Sequence, residues 1–190
     1  MVIVFCGVGA LGSQAALLCR NLGATLRFVD FDRVESKNLQ AQGFVKPSVG
    51  KNKAEALRLQ FQNFYGIRAE ARGVRLGGGN VEALCTGAHI LVDCFDNFES
   101  RVVLSEHARG SSTPLVHAAL SGDGTFGMVR WDERFTPDRE DAQGQATCEG
   151  GEHLPLIAMV AASLARALQD FVRDAQRHDF MVSSSGVSRV

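Results

Sequence analysis

Three glycines and an acid carry the first chemistry in this sequence. Gly7, Gly9 and Gly12 stand in a G-x-G-x-x-G spacing. An apolar, β-branched run, Val2-Ile3-Val4-Phe5-Cys6, precedes them, and a stretch with apolar residues at helical spacing follows. In a strand–turn–helix of this kind the first glycine permits the tight turn and the second lets backbone approach a phosphate. The third allows close packing of helix on strand, while the helix N-terminus offers unpaired N–H groups to an anion. Asp30 ends the next apolar run, about 20 residues past the glycines, where an acid is placed to accept hydrogen bonds from a ribose hydroxyl. The chemistry is nucleotide binding. The spacing leaves open which nucleotide, and a glycine-rich turn that binds nothing is the competing reading of the motif alone.

Two further features bear on the same site. All four lysines, Lys37, Lys46, Lys51 and Lys53, fall in one short window, whereas arginines are spread along the chain. A site needing a compact, mobile point charge against phosphate accounts for this; so does a solvated loop that kept its lysines. Asp96 and Asn97 follow a buried-strand pattern at residues 90–95. Ligands gather at the carboxyl ends of strands in open parallel sheets, so Asp96 should share a crevice with Gly9 and Asp30.

The elements that must position these residues alternate between strand and helix. The pattern predicts strands at 2–6, 26–29, 67–74 and 90–95, and helices at 13–22, 53–64, 81–85 and 98–108. Residues 31–42 are too polar for a strand and read as a loop with one helical turn. Two closely spaced strands at 114–119 and 125–131 predict a hairpin and a mixed sheet at that end. An apolar helix at 156–173 and a last strand at 179–183 complete the pattern. The fold expected is α/β: a Rossmann-like, doubly wound, mostly parallel sheet with an antiparallel addition on its C-terminal side. Residues 132–154 lose all periodicity, and a loop of that length inside a compact domain is usually functional.

Composition narrows the class. The length of 190 residues suits one domain, and 45% hydrophobic residues suit a globular core. A net charge of −1 argues against a general nucleic-acid binder, which needs a basic face. Five cysteines with no C-x-x-C pair argue against a disulfide framework and a structural zinc site, so a reducing, cytoplasmic setting fits. The apolar start lacks the flank of a signal peptide, and the apolar run at 154–165 is too short to span a bilayer.

The motifs taken together resemble the ubiquitin-activating-enzyme superfamily, in its bacterial branch of ThiF/MoeB/HesA-type sulfur-carrier adenylyltransferases. The matches are G-x-G-x-x-G at 7–12, V-D-x-D-x-V-E-x-x-N-L-x-x-Q at 29–42 and V-G-x-x-K at 49–53. D-C-x-D-N at 93–97, continuing to Arg101, and C-x-x-G-x-x-x-P at 148–155 complete the set. They come in family order and cover nearly the whole chain. The resemblance implies one adenylation domain that uses ATP and Mg²⁺, with no zinc. Its substrate would be the C-terminal carboxylate of a ubiquitin-like or sulfur-carrier protein ending in glycine. Carried over position by position, Asp30 would hold the ribose, Asn38 and Lys53 would contact the phosphates, and Asp96 would bind magnesium. Asp32 and Asn97 fall in the same nucleotide-binding motifs. Lys53, Asp96 and Cys148 are the implied catalytic set, with Cys148 forming a covalent link to the activated protein. Family members pair through their sheet domains, so a homodimer or a heterodimer with a relative is expected.

The chain departs from the resemblance at Ala41, where relatives usually carry a phosphate-contacting arginine. That departure keeps a degenerate, nucleotide-binding scaffold subunit in play. An NAD-dependent oxidoreductase shares the glycines and Asp30 but leaves Asn38, Lys53 and Asp96 unexplained.

Overall fold

A computed structural model describes residues 1–135 and 152–190. One sheet of eight strands organises the chain, in the order β3-β2-β1-β4-β5-β6-β7-β8. The strands are β1 (Val2–Cys6), β2 (Thr25–Val29), β3 (Glu70–Arg72), β4 (Ile90–Asp93), β5 (Leu115–Leu120), β6 (Phe126–Trp131), β7 (Phe180–Ser183) and β8 (Gly186–Arg189). Strands β1 to β5 pair in parallel, and β5 through β8 pair antiparallel. The expected mostly parallel sheet with an antiparallel C-terminal addition is what forms, with β1 in its interior.

The interior place of β1 follows from its residues. Ile3, Val4, Phe5 and Cys6 are all fully buried. Ile3 and Phe5 face one hydrophobic layer and Val4 and Cys6 the other, as a period of two requires when helices cover both faces. The first layer holds α1 (Ala10–Leu18), α2 (Lys53–Tyr65) and α5 (Leu154–Asp174); the second holds α3 (Val81–Cys85) and α4 (Phe98–Ser111). Helix α5 presents Ile157, Val160, Leu164 and Leu168 to the core at helical spacing and packs on α1, β5, β6 and β7. Burying each such side chain contributes about 2 kcal/mol of transfer free energy. By length and composition this 21-residue helix could cross a bilayer, but its apolar face goes into the core.

Three element bounds shift, and one strand is added. Helix α1 begins at Ala10, inside the glycine motif, and not at Ser13. Ser13 suggests an N-cap by type, but its hydroxyl instead bonds the Gly9 carbonyl and accepts from the Gly43 N–H at 2.8 Å. The strand expected at 67–74 pairs only over Glu70–Arg72, and the one at 90–95 pairs only to Asp93. The one helical turn expected in the loop at 31–42 forms as a 3-10 helix, Ser36–Gln40, and a second 3-10 turn follows at Lys46–Ser48. Strand β8 had no signal: it is a short, largely exposed edge strand whose residues show no apolar alternation. Cys148 and most of the loop expected at 132–154 lie outside the described residues.

Candidate functional site

The site is built at the carboxyl ends of β1, β2 and β4. Gly7 leaves β1 with φ +85°, the left-handed region that favours glycine, and its N–H donates to the Val29 carbonyl at 2.9 Å. A Cβ on Gly7 would lie 2.8 Å from the Cys94 carbonyl oxygen. A Cβ on Gly12 would overlap the Gly7 carbonyl oxygen outright, whereas one on Gly9 meets nothing. The three glycines thus divide as their spacing predicts: Gly7 turns, Gly12 packs, and Gly9 lies against open space. Gly9 is the N-cap of α1 and offers no side-chain cap, and the first turn carries no acid. The first N–H groups of α1 stay available to an anion.

Asp30 is buried and ties the turn to β2. Its Oδ2 accepts from the Val8 N–H at 2.8 Å and its Oδ1 from the Asp32 N–H at 2.9 Å. Burial raises its pKa above the ordinary carboxylate range, against the Val8 amide and the Lys53 charge, which pull it down. Lys53 is buried at the start of α2 with Nζ 3.1 Å from Asp32 Oδ2, and Asp32 is about half exposed. An ammonium has three N–H donors, so this pairing leaves Lys53 others to offer a phosphate. Asn38 is buried, its Oδ1 accepting from the Glu35 N–H at 2.8 Å, and its Nδ2 has no acceptor among the described residues. The methyl of Ala41 lies in the core, so no cation projects from that position.

Across the switch point, β4 pairs with β1 and the Cys94 N–H donates to the Cys6 carbonyl at 2.9 Å. Asn97 caps α4, its Oδ1 accepting from the Ser100 N–H at 3.0 Å. Asp96 is exposed and has neither ion pair nor hydrogen bond among the described residues. No cluster of three His, Cys, Asp or Glu side chains that could hold a metal occurs among the described residues. A lone free carboxylate fits magnesium brought in on phosphates, since Mg²⁺ usually keeps several waters and takes one or two carboxylates plus substrate oxygens. Hydrogen bonds therefore tie the turn that holds Gly7, Gly9 and Gly12 to Asp30 through the Val8 N–H, Asp30 to the Asp32 N–H, and Asp32 to Lys53. Asp96 lies past the end of the neighbouring strand β4, without contact to those residues among the described residues.

Two positioning features have no role in the sequence reading. Asn52 donates from Nδ2 to the Asp30 and Asp32 carbonyls at 2.8 and 3.1 Å, and its Oδ1 caps α2 through the Glu55 N–H at 3.1 Å. The N-x-x-E spacing at 52–55 carries that signal. Asn52→Ala should lower stability by about 1–2 kcal/mol in chemical denaturation, from the lost cap and carbonyl ties. Asn52→Asp should recover the cap part alone. Gln14 is the second feature: its Nε2 donates to the Ala41 carbonyl at 2.7 Å and holds the 3-10 segment to α1.

The fold and this site define a Rossmann-type α/β domain with an anion-receptive glycine turn at its switch point. More narrowly, the chain belongs to the ThiF family, whose family model matches residues 1–181. It is 33% identical over 121 residues to the SAMP-activating enzyme E1 of Haloferax volcanii, covering 62% of this chain and 45% of the relative. It is 31% identical over 132 residues to the sulfur carrier protein ThiS adenylyltransferase of Bacillus subtilis, covering 66% of this chain and 38% of the relative. The matches thus span less than half the length of either relative. Among solved structures, E. coli MccB with AMPCPP and selenomethionine MccA superposes with TM-score 0.80 at 16% identity. That match covers 99% of this chain and 62% of the other. The PaaA structure gives TM-score 0.76 at 17% identity, over 100% of this chain and 63% of the other.

Proposed function

We propose that this chain adenylylates the C-terminal carboxylate of a ubiquitin-like or sulfur-carrier protein, using ATP and Mg²⁺. One observation carries the reading: the uncapped glycine turn is tied to Asp30 through the Val8 N–H, buried Lys53 pairs with Asp32 close by, and Asp96 follows the neighbouring strand β4 with an exposed carboxylate. In the reaction a carboxylate oxygen attacks the α-phosphorus. A P–O bond forms, the bond to the bridging oxygen breaks, and pyrophosphate leaves with its electron pair. Negative charge develops on the phosphates, where the α1 N–H groups and Lys53 can stabilise it. Magnesium, when bound, neutralises phosphate charge, and Asp96 is the residue to hold it. The nucleophile is already ionised, so no general base is required.

Ala41 favours a second reading, a nucleotide-binding scaffold subunit that works beside an active relative, because it supplies no charge where relatives usually have one. One experiment separates the two. The chain is incubated with MgATP, labelled pyrophosphate and a small protein ending in Gly-Gly, alone and with a candidate partner chain. Carrier-dependent incorporation of label into ATP by the chain alone supports adenylylation, and tight ATP binding without exchange sinks it. A thiol-sensitive adduct on a non-reducing gel, absent in Cys148→Ala, would add covalent transfer at that cysteine. Sedimentation of the same samples tests the expected homodimer or heterodimer.

A further inference from the structure

His117 lies fully buried within β5, beside Asp93 of β4, its registered partner across the parallel pair. Its Nδ1 is 2.8 Å from Asp93 Oδ2, and its Nε2 is 2.9 Å from the Asp132 carbonyl oxygen. Its ring packs against Phe135 with centroids 4.1 Å apart. Asp93 is itself fully buried, and both its oxygens are engaged. Oδ1 accepts from the Phe95 N–H at 3.0 Å, and Oδ2 accepts from Arg101 Nε at 3.0 Å. Phe95 immediately precedes Asp96, and Arg101 stands on α4, whose N-cap is Asn97. Asp93 therefore grips residues 94–97 twice: through the backbone before Asp96 and through the helix after it. Burial alone would push the Asp93 carboxyl up, but the His117 hydrogen bond and the Arg101 charge outweigh it and hold the group below the ordinary carboxylate range. Leu115, two residues before His117 on the same face of the sheet, is buried and apolar, so packing alone gives no reason for an imidazole here.

We propose that His117 is a positioning residue for the magnesium-nucleotide step: it orients Asp93, and Asp93 fixes the turn that presents Asp96. The inference rests on the reading of Asp96 given above. Groups that orient metal-binding side chains typically change metal affinity or activity 10–100-fold when removed.

Two substitutions separate the two polar contacts of the ring. Asparagine places an amide donor near the Nδ1 position and can still reach Asp93; glutamine places one near Nε2 and can still reach the Asp132 carbonyl. ATP affinity is measured by calorimetry with excess Mg²⁺ and with EDTA, alongside thermal melts and a magnesium titration of pyrophosphate exchange. His117→Gln should lose about tenfold of the magnesium-dependent gain in ATP affinity, with affinity in EDTA unchanged, and His117→Asn should restore most of it. Equal losses in the two variants, or losses that track melting temperature alone, would overturn the proposal. If neither variant folds, Arg101→Gln, changed at the edge of the cluster, must show the same magnesium-specific loss, and normal magnesium dependence there overturns it too. The calorimetry needs no carrier protein. A wild type that shows the magnesium effect but no exchange therefore refutes the adenylylation reading and leaves the test of His117 standing.

Discussion

Replacing Asp96 by alanine should abolish magnesium-dependent adenylyl transfer while leaving the fold intact. The side chain is exposed and makes no hydrogen bond or ion pair among the described residues, so its loss removes no contact from the native state. Surface changes of that kind usually move stability by less than about 0.5 kcal/mol. The rate effect is of another order. Losing a charged contact where charge develops in the transition state costs roughly 3 kcal/mol, on the order of a hundredfold. The contrast between an unmoved melting temperature and a lost rate is the signature of a residue that serves chemistry alone. Pyrophosphate exchange at saturating MgATP and carrier reads the rate. Exchange that persists at the wild-type level would remove Asp96 from the metal site and leave the β4 end without a role.

Much of this was legible in the sequence because the informative interactions are local. The β1–turn–α1 unit is written in a β-branched run, three glycines and a helical period, all within a span of about 20 residues. The alternation of strands and helices predicts the parallel half of the sheet, and the short gap before β6 predicts the antiparallel β5–β6 hairpin, but not the β6–β7 and β7–β8 pairs that extend it. The five motifs in family order pointed to the family that the match over residues 1–181 establishes. What stayed hidden is what depends on distant partners. Nothing near position 117 announces a buried histidine bonded to Asp93, because the two meet only when β4 and β5 pair across 24 positions of chain. The start of α1 was misplaced for a related reason. Ser13 has the chemistry of an N-cap, but tertiary structure turns its hydroxyl to Gly9 and Gly43. Strand β8 forms because β7 supplies an edge to pair with, not because its own residues favour a strand.

Gly12→Ala and Gly9→Ala should fail in different ways, and the pair tests the glycine turn more sharply than either alone. An added methyl at Gly12 runs into the Gly7 carbonyl oxygen and comes within 3.3 Å of the Cys94 Cβ. The obstacle is backbone, so no side-chain rotation relieves it. Gly7 has little room to retreat: its φ is +85°, its N–H is tied to the Val29 carbonyl at 2.9 Å, and the Cys94 carbonyl stands where a Cβ would be. Either the turn opens or the start of α1 shifts, and backbone shifts forced by overpacking typically cost about 1–3 kcal/mol, occasionally more. Gly12→Ala should therefore lower the melting temperature and abolish ATP binding together. At Gly9 the added methyl meets nothing, and φ of −74° lies outside the left-handed region that favours glycine. Gly9→Ala should lower the melting temperature less than Gly12→Ala and still lose most of its ATP affinity, because the methyl occupies the space where a phosphate must approach the backbone. Calorimetric titration with ATP, paired with a thermal melt of each variant, distinguishes the cases. If Gly9→Ala binds ATP as tightly as the wild type, the phosphates do not lie on this turn, and the nucleotide site must be sought elsewhere along the carboxyl ends of the strands.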